Sequence, residues 1–132
     1  MVFAVRGAIQ VRSNAEKAIA EASARLVREM CKRNRIAENR IVSVIFSVTE
    51  DLTAGNPAAG LRRTGFDRTP LFCVQEARCD GGMPRVIRVL LTARSRRIFG
   101  RRGVHVYLDG AEILRPDLEA QPGLGPRLPY RE

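Results

Sequence analysis

The spacing of apolar residues divides the chain into short strands and one long helix. From Phe3 to Val11, the residues Phe3, Val5, Ile9 and Val11 recur among small ones at strand spacing, interrupted by Arg6 and Gly7. Ser13-Asn14-Ala15-Glu16 has the form of a capping box, with Ser13 as N-cap and Glu16 reaching back from the third helical position. Behind it Ala15, Ile19, Ala22, Leu26 and Met30 make an apolar stripe, with Lys17, Glu21, Arg28 and Lys32 largely off it. The helix so predicted ends near Arg33 or Asn34. Ile41 to Thr49 is the strongest strand signal, and its two largely apolar faces predict a central strand covered on both sides.

Further on the elements shorten. Residues 50–56 read as a loop, and Pro57 opens a short helix reaching about Thr64. Pro70 to Val74 is a short strand running into Gln75 and Glu76, and Gly81-Gly82-Met83-Pro84 is a turn. Arg85 to Thr92 is a strand, and Arg94 to Gly103 a basic loop. Val104–Leu108 and Ala111–Leu114 read as short strands around Asp109-Gly110, a hairpin-type turn. The order β-α-β-α-β-β predicts a single α/β (α+β) domain over residues 1–118, a mixed sheet with one long and one short helix. Residues 119–132, rich in Pro and Gly, are expected to form a flexible tail.

Length and composition narrow the function. A chain of 132 residues is one domain and buries roughly 68% of its unfolded surface, enough for a core but not for a deep pocket as well. A ligand site is therefore expected to be shared between subunits. The net charge of +9 invites a nucleic-acid reading. Yet only Lys17 and Lys32 among the 23 basic residues are lysines, which looks like base composition favouring arginine codons. Aromatic residues make up 5% with no base-stacking motif, so nucleic acid is not the expected partner. Cys31, Cys73 and Cys79 are an odd number without metal-ligand spacing, and His105 is the single histidine, which leaves no metal site and no Ser-His or Cys-His pair. Its expected role is structural. Nucleotide-binding loops are absent. No apolar run is long enough to span a bilayer and the N-terminus has no signal-peptide pattern, so the reading is cytoplasmic.

The candidate chemistry comes from charges in the wrong places. Arg88 falls on the same strand face as Val86 and Leu90; Arg6, Glu76 and Arg115 also lie in or at the ends of apolar strands, and Tyr107 is close to them in type. An arginine cannot shed its proton, and a buried unpaired charge costs at least several kcal/mol. Each such arginine must reach water, pair with a carboxylate such as Glu76, or await an anionic ligand. Three guanidiniums against one carboxylate suit a small ligand with two carboxylates, which guanidinium forks match bidentately. Without a nucleophile or cofactor, the chemistry left is binding and electrostatic stabilisation, as in a unimolecular rearrangement. Cys73 reads as a pocket-wall residue.

The segments Arg6-Gly7-Ala8, Thr49-Glu50-Asp51-Leu52, Cys73-Val74-Gln75-Glu76, Arg85-Val86-Ile87-Arg88-Val89-Leu90, His105-Val106-Tyr107-Leu108 and Leu114-Arg115-Pro116-Asp117-Leu118 occur in one order. In that order and spacing the chain resembles the monofunctional trimeric chorismate mutases of the mixed α/β type. The resemblance implies conversion of chorismate to prephenate by a Claisen rearrangement without cofactor or covalent intermediate, on the route to phenylalanine and tyrosine. It implies a homotrimer with a barrel-like β core and sites between subunits. Arg88 would stabilise the ether oxygen, Arg6 with Tyr107 would bind a carboxylate, and Glu76 would accept the ring hydroxyl from the far side of the substrate rather than neutralise Arg88. Cys73 and Phe72 would line the pocket, Arg62 would come from the adjacent subunit, and Leu114 and Arg115 would form its lip. The chain departs from the family in Asn56 before Pro57, in Ala59, and in the basic stretch Arg94, Arg96, Arg97, Arg101 and Arg102. The competing readings are a basic nucleic-acid module and a catalytically silent binder of an aromatic-pathway metabolite.

Overall fold

The computed structural model describes residues 1–96 and 102–119. Arg97, Arg101 and the expected tail beyond Glu119 lie outside them. Five strands, β1 (Val2–Gln10), β2 (Ile41–Val48), β3 (Leu71–Gln75), β4 (Val86–Arg94) and β5 (Val106–Leu108), form one mixed sheet in the order β3-β2-β4-β1-β5. Strand β4 runs antiparallel to both β1 and β2, while β2/β3 and β1/β5 are parallel. Helices α1 (Glu16–Asn34), α2 (Pro57–Arg62) and α3 (Pro116–Glu119) complete the fold. Among the described residues no helix is long and apolar enough to cross a membrane.

Alternation along the strands assigns each residue to a face. Val5, Ile9, Val44, Phe46, Ile87, Val89 and Leu91 point to one side and are buried there with Ile19, Leu26, Val27 and Met30 of α1 and Leu61 of α2. The other face carries no helix across its middle. Strand β2 is therefore not covered on both sides as its composition suggests, and β4 rather than β2 takes the central place. Ile45 stays 39% exposed, Leu90 41% and Phe72 64%. The apolar pattern of β2 reports a need for burial; within one chain nothing meets it on that side.

Two local details differ from the sequence expectations. Helix α1 starts at Glu16 behind Ala15, with no side-chain cap. The Asn14 side chain instead bonds the backbone N–H groups of Thr53 and Ala54 at 3.0 and 2.9 Å, and Glu16 pairs with Arg63 at 3.3 Å. The polar groups of a capping box are thus spent on anchoring the loop before α2. Residues Ala111–Leu114 form a 3-10 turn rather than a strand. Gly110 adopts φ 100° and its N–H donates to Glu112 Oε2 at 2.7 Å, turning the chain away from the sheet edge. At the other end of α1, Arg35 occupies the left-handed C-cap position at φ 51°.

Two clamps set the ends of the site-bearing strands. Asp51 accepts from the Arg85 N–H at 3.0 Å and Thr49 Oγ1 from the Val86 N–H at 3.0 Å, fixing where β4 begins. Buried Asn34 accepts from Val104 N–H at 2.6 Å and donates to Val104 O at 2.9 Å, holding the approach to β5 against the end of α1.

Gly60 shows how tightly the helical layer is packed. A Cβ there would lie 2.7 Å from Ala20 Cα, a backbone atom that cannot rotate away. Glycine to alanine in a helix interior ordinarily stabilises by about 0.5–1 kcal/mol. At this position overpacking of about 1–3 kcal/mol dominates. Gly60→Ala is expected to lower the thermal midpoint; a midpoint equal to or above wild type would show that α1 and α2 separate freely.

Candidate active site

The strand register lays the misfit charges out in rows on the uncovered face. One row runs Phe72, Ile45, Leu90, Arg6 from β3 to β1. The next runs Val74, Ser47, Arg88, Ala8, Tyr107 from β3 to β5. Arg6, Ser47, Arg88, Tyr107, Leu114 and Arg115 line a cleft of about 320 Å³ where these rows meet the 3-10 turn after β5. A volume near 300 Å³ is at the low end for small-molecule sites.

Charge in this cleft is incompletely balanced. Arg115 grips Asp117 through two bonds of 3.1 and 2.9 Å, and that carboxylate, with Tyr107 adding to it, raises the guanidinium above its ordinary range. Asp117 is correspondingly pulled down. Arg88 Nε lies against Glu76 Oε1, so within one chain the two are partners, contrary to the expectation that Glu76 stands apart. The cause is the ladder: the Glu76 N–H bonds Val48 O at 2.9 Å, extending β3 by one residue and setting its side chain diagonal to Arg88 across β2. The contact is ionic rather than a hydrogen bond, because the buried Nε–H is not aimed along it. Arg6 Nε is also buried, and it has no partner among the described residues.

His105 contributes a function that the sequence reading missed. Its Nδ1 accepts the Arg6 backbone N–H at 3.0 Å. The parallel ladder to β5 starts only at Gly7↔Val106, and Val104 O is already engaged by Asn34. The imidazole thus replaces a backbone carbonyl as the acceptor that aligns Arg6. Only knowledge that β5 lies beside β1 could have revealed this.

Three expected site residues are not brought to the cleft. Cys73 faces the core side, packed against the buried cluster with Phe46, Val89 and Gly7 as its row neighbours. Burial raises its thiol, which disfavours the thiolate. Phe72 shares the uncovered face but sits on the outermost strand, and Arg62 ends α2 exposed to solvent. Asn56 has a local duty: its Oδ1 accepts from Ala58 N–H at 2.9 Å, capping α2. Among the described residues no His, Cys, Asp and Glu side chains converge as metal ligands.

Burial, then the charges of Arg6 and Arg115, lowers the His105 pKa below its ordinary 6.5. The folded imidazole resists protonation more than the unfolded one does, so stability falls as pH drops below 6.5 and levels off under the folded value. His105→Asn can keep an acceptor near the Nδ1 position without titrating. The wild-type thermal midpoint is expected to fall by several degrees more than that of His105→Asn between pH 7 and pH 5. Parallel midpoint curves for the two proteins would refute the assignment.

Comparison with known proteins agrees with this geometry. The family model described as chorismate mutase type I matches residues 2–118. Chorismate mutase AroH of Thermus thermophilus is 42% identical over 121 residues, covering 91% of this chain and 98% of the relative. Chorismate mutase AroH of Bacillus subtilis is 32% identical over 119 residues, covering 89% and 93%. The solved structure of a chorismate mutase from Clostridium thermocellum superposes with a TM-score of 0.79 at 35% identity, covering 84% of this chain and 98% of that one. The chain belongs to the type I chorismate mutase family.

Proposed function

We propose that this protein is a chorismate mutase, an isomerase that converts chorismate to prephenate in aromatic amino acid biosynthesis, working as a homotrimer. The observation that carries this reading is the buried, unpartnered Arg6 Nε in a cleft shared with Arg88 and Arg115. That arrangement has the charge of a dianion's site.

Arg6, oriented through His105 and flanked by Tyr107, binds one carboxylate of the substrate. Arg88 faces the ether oxygen, which gains negative charge as the C–O bond breaks. An interaction that grows in the transition state raises kcat, whereas one equally strong in the ground state does not. Glu76 holds Arg88 in place with one oxygen and offers the other to the ring hydroxyl. Leu114 and Arg115 form the lip, and Arg115 exchanges Asp117 for substrate as the site fills. The reaction needs no covalent intermediate: holding the flexible dianion in its reactive shape supplies the rest of the acceleration.

Assembly completes the cleft. The exposed row Phe72, Ile45 and Leu90 continues directly into Arg6, so an apolar surface and the binding charges are one surface. Packing three such faces together gives the barrel-like core, with Arg62 and Phe72 reaching a neighbour's cleft. Cys73, turned to the core, has no side-chain role in this scheme. The free thiols of Cys31, Cys73 and Cys79 suit the reducing cytoplasm to which we assign the protein.

Adding the protein to chorismate is expected to remove its absorbance without any cofactor. Replacing Arg88 with citrulline or Lys should cut kcat by about 100-fold or more, the usual cost of removing a transition-state charge stabiliser, with a smaller change in KM. Unchanged turnover would overturn the role given to Arg88. Light scattering should return three times the chain mass. Ile45→Lys should give folded monomers that lose activity, and an active Ile45→Lys monomer would refute the shared site.

A further inference from the structure

The largest concentration of unpaired positive charge lies away from the catalytic cleft. A groove of about 570 Å³ at the far end of the sheet is lined by Arg35, Arg40, Arg94 and Arg96, with Ile36 and Ser95 between them. Arg94 is the register partner of Val2, whereas Arg88 is the partner of Ala8. Six residues of strand separate the two clefts, about 20 Å.

Three features set this groove apart. The first is its charge balance. Five arginines elsewhere on the surface meet carboxylates: Arg12 with Glu21, Arg25 with Asp109, Arg33 with Glu29, Arg63 with Glu16 and Arg78 with Glu50. A third cleft, of about 370 Å³, contains two of those pairs and, besides them, Arg85. Among the described residues no carboxylate lines the basic groove; Glu38, in the same 3-10 turn as Arg40, is not one of its lining residues. None of its four guanidiniums is ion-paired among the described residues.

The second feature is register. Ile41 of β2 is opposite Ala93 of β4, which brings Arg40, the last residue of the 3-10 turn before β2, and Arg94, the last residue of β4, to the same end of the sheet. Like charges held close together repel. The third is backbone. Arg35 holds φ 51° at the end of α1, where Gly is the favoured residue. A side chain retained at a left-handed position, in a groove whose charges repel one another, implies a use for that side chain.

We propose that this groove is a second, non-catalytic binding site for a compact anion bearing two or three phosphoryl groups. Guanidinium forks match phosphate oxygens bidentately. Several forks converging on one groove suit a chain of phosphates better than a single carboxylate. The groove is within the size range of small-ligand sites. Among the described residues its lining contains no aromatic side chain on which a base could stack, which favours the phosphate chain over single-stranded nucleic acid.

The test is calorimetric titration of the full-length protein with tripolyphosphate at low ionic strength. Micromolar binding is expected, weakened at least tenfold in the double variant Arg40→Gln/Arg94→Gln, with chorismate turnover unchanged. Arg35→Gly should weaken binding several-fold while raising the thermal midpoint, because it removes a ligand contact and relieves the backbone together. It decides the matter alone if the double variant does not fold. Arg6→Gln should leave tripolyphosphate binding intact. Absence of binding, equal binding by the groove variants, or loss on Arg6→Gln would each overturn the proposal. So would an oligonucleotide that binds more tightly than tripolyphosphate at equal phosphate concentration.

Discussion

The organising constraint is a sheet with its helical cover on one side only. Helices α1 and α2 meet the face carrying Val5, Phe46, Val89 and Leu91, and the described residues contain no further long helix for the other. A five-stranded sheet with exposed Ile45, Leu90, Phe72 and Val74 is unfinished as a monomer. Arg6, Arg88 and Tyr107 lie on that same face. In the proposed trimer the wall opposite the sheet comes from another copy, which would tie activity to assembly.

Within the cleft, the arginines differ in how free they are. Arg115 has a bidentate carboxylate and Arg88 an ionic contact with Glu76, while buried Arg6 Nε has neither. Leaving one buried Nε–H without an acceptor costs stability, and the surrounding structure must oppose that cost. Gly7 allows α1 to lie close beneath β1, and the backbone of Arg6 is fixed by His105. Preorganisation of this kind means that little rearrangement of Arg6 would be needed to receive an anionic group.

Much of this was legible in the sequence because a charge inside an apolar strand violates a local pattern. Arg6, Arg88, Arg115 and Tyr107 stood out for that reason, and the cleft unites them. What was not legible depends on neighbours in space. The apolar faces of β2 state that burial is needed but not whether a helix or a second subunit provides it. Whether Cys73 or Phe72 faces the site is a question of parity, settled only by pairing with β2. The role of His105 depends on a parallel contact between strands nearly a hundred residues apart, and the capping-box motif lost to Asn14 bonding a distant loop. The pairing of Arg88 with Glu76 arises from one extra rung on β3, which no residue pattern announces.

The central position of β4 also dictates the order of folding. Strands β1 and β2 are parallel to each other and separated by β4, so neither can pair with the other. Everything made before residue 86 comprises a helix layer and strands whose only available ladder is β2 with β3. The sheet closes when the last long strand inserts between the first two, a late and non-local step of the kind that slows folding. Until that moment a nascent chain exposes both inner edges of its future sheet, so the chain must be made as far as Arg94 before β1 and β2 can join one sheet.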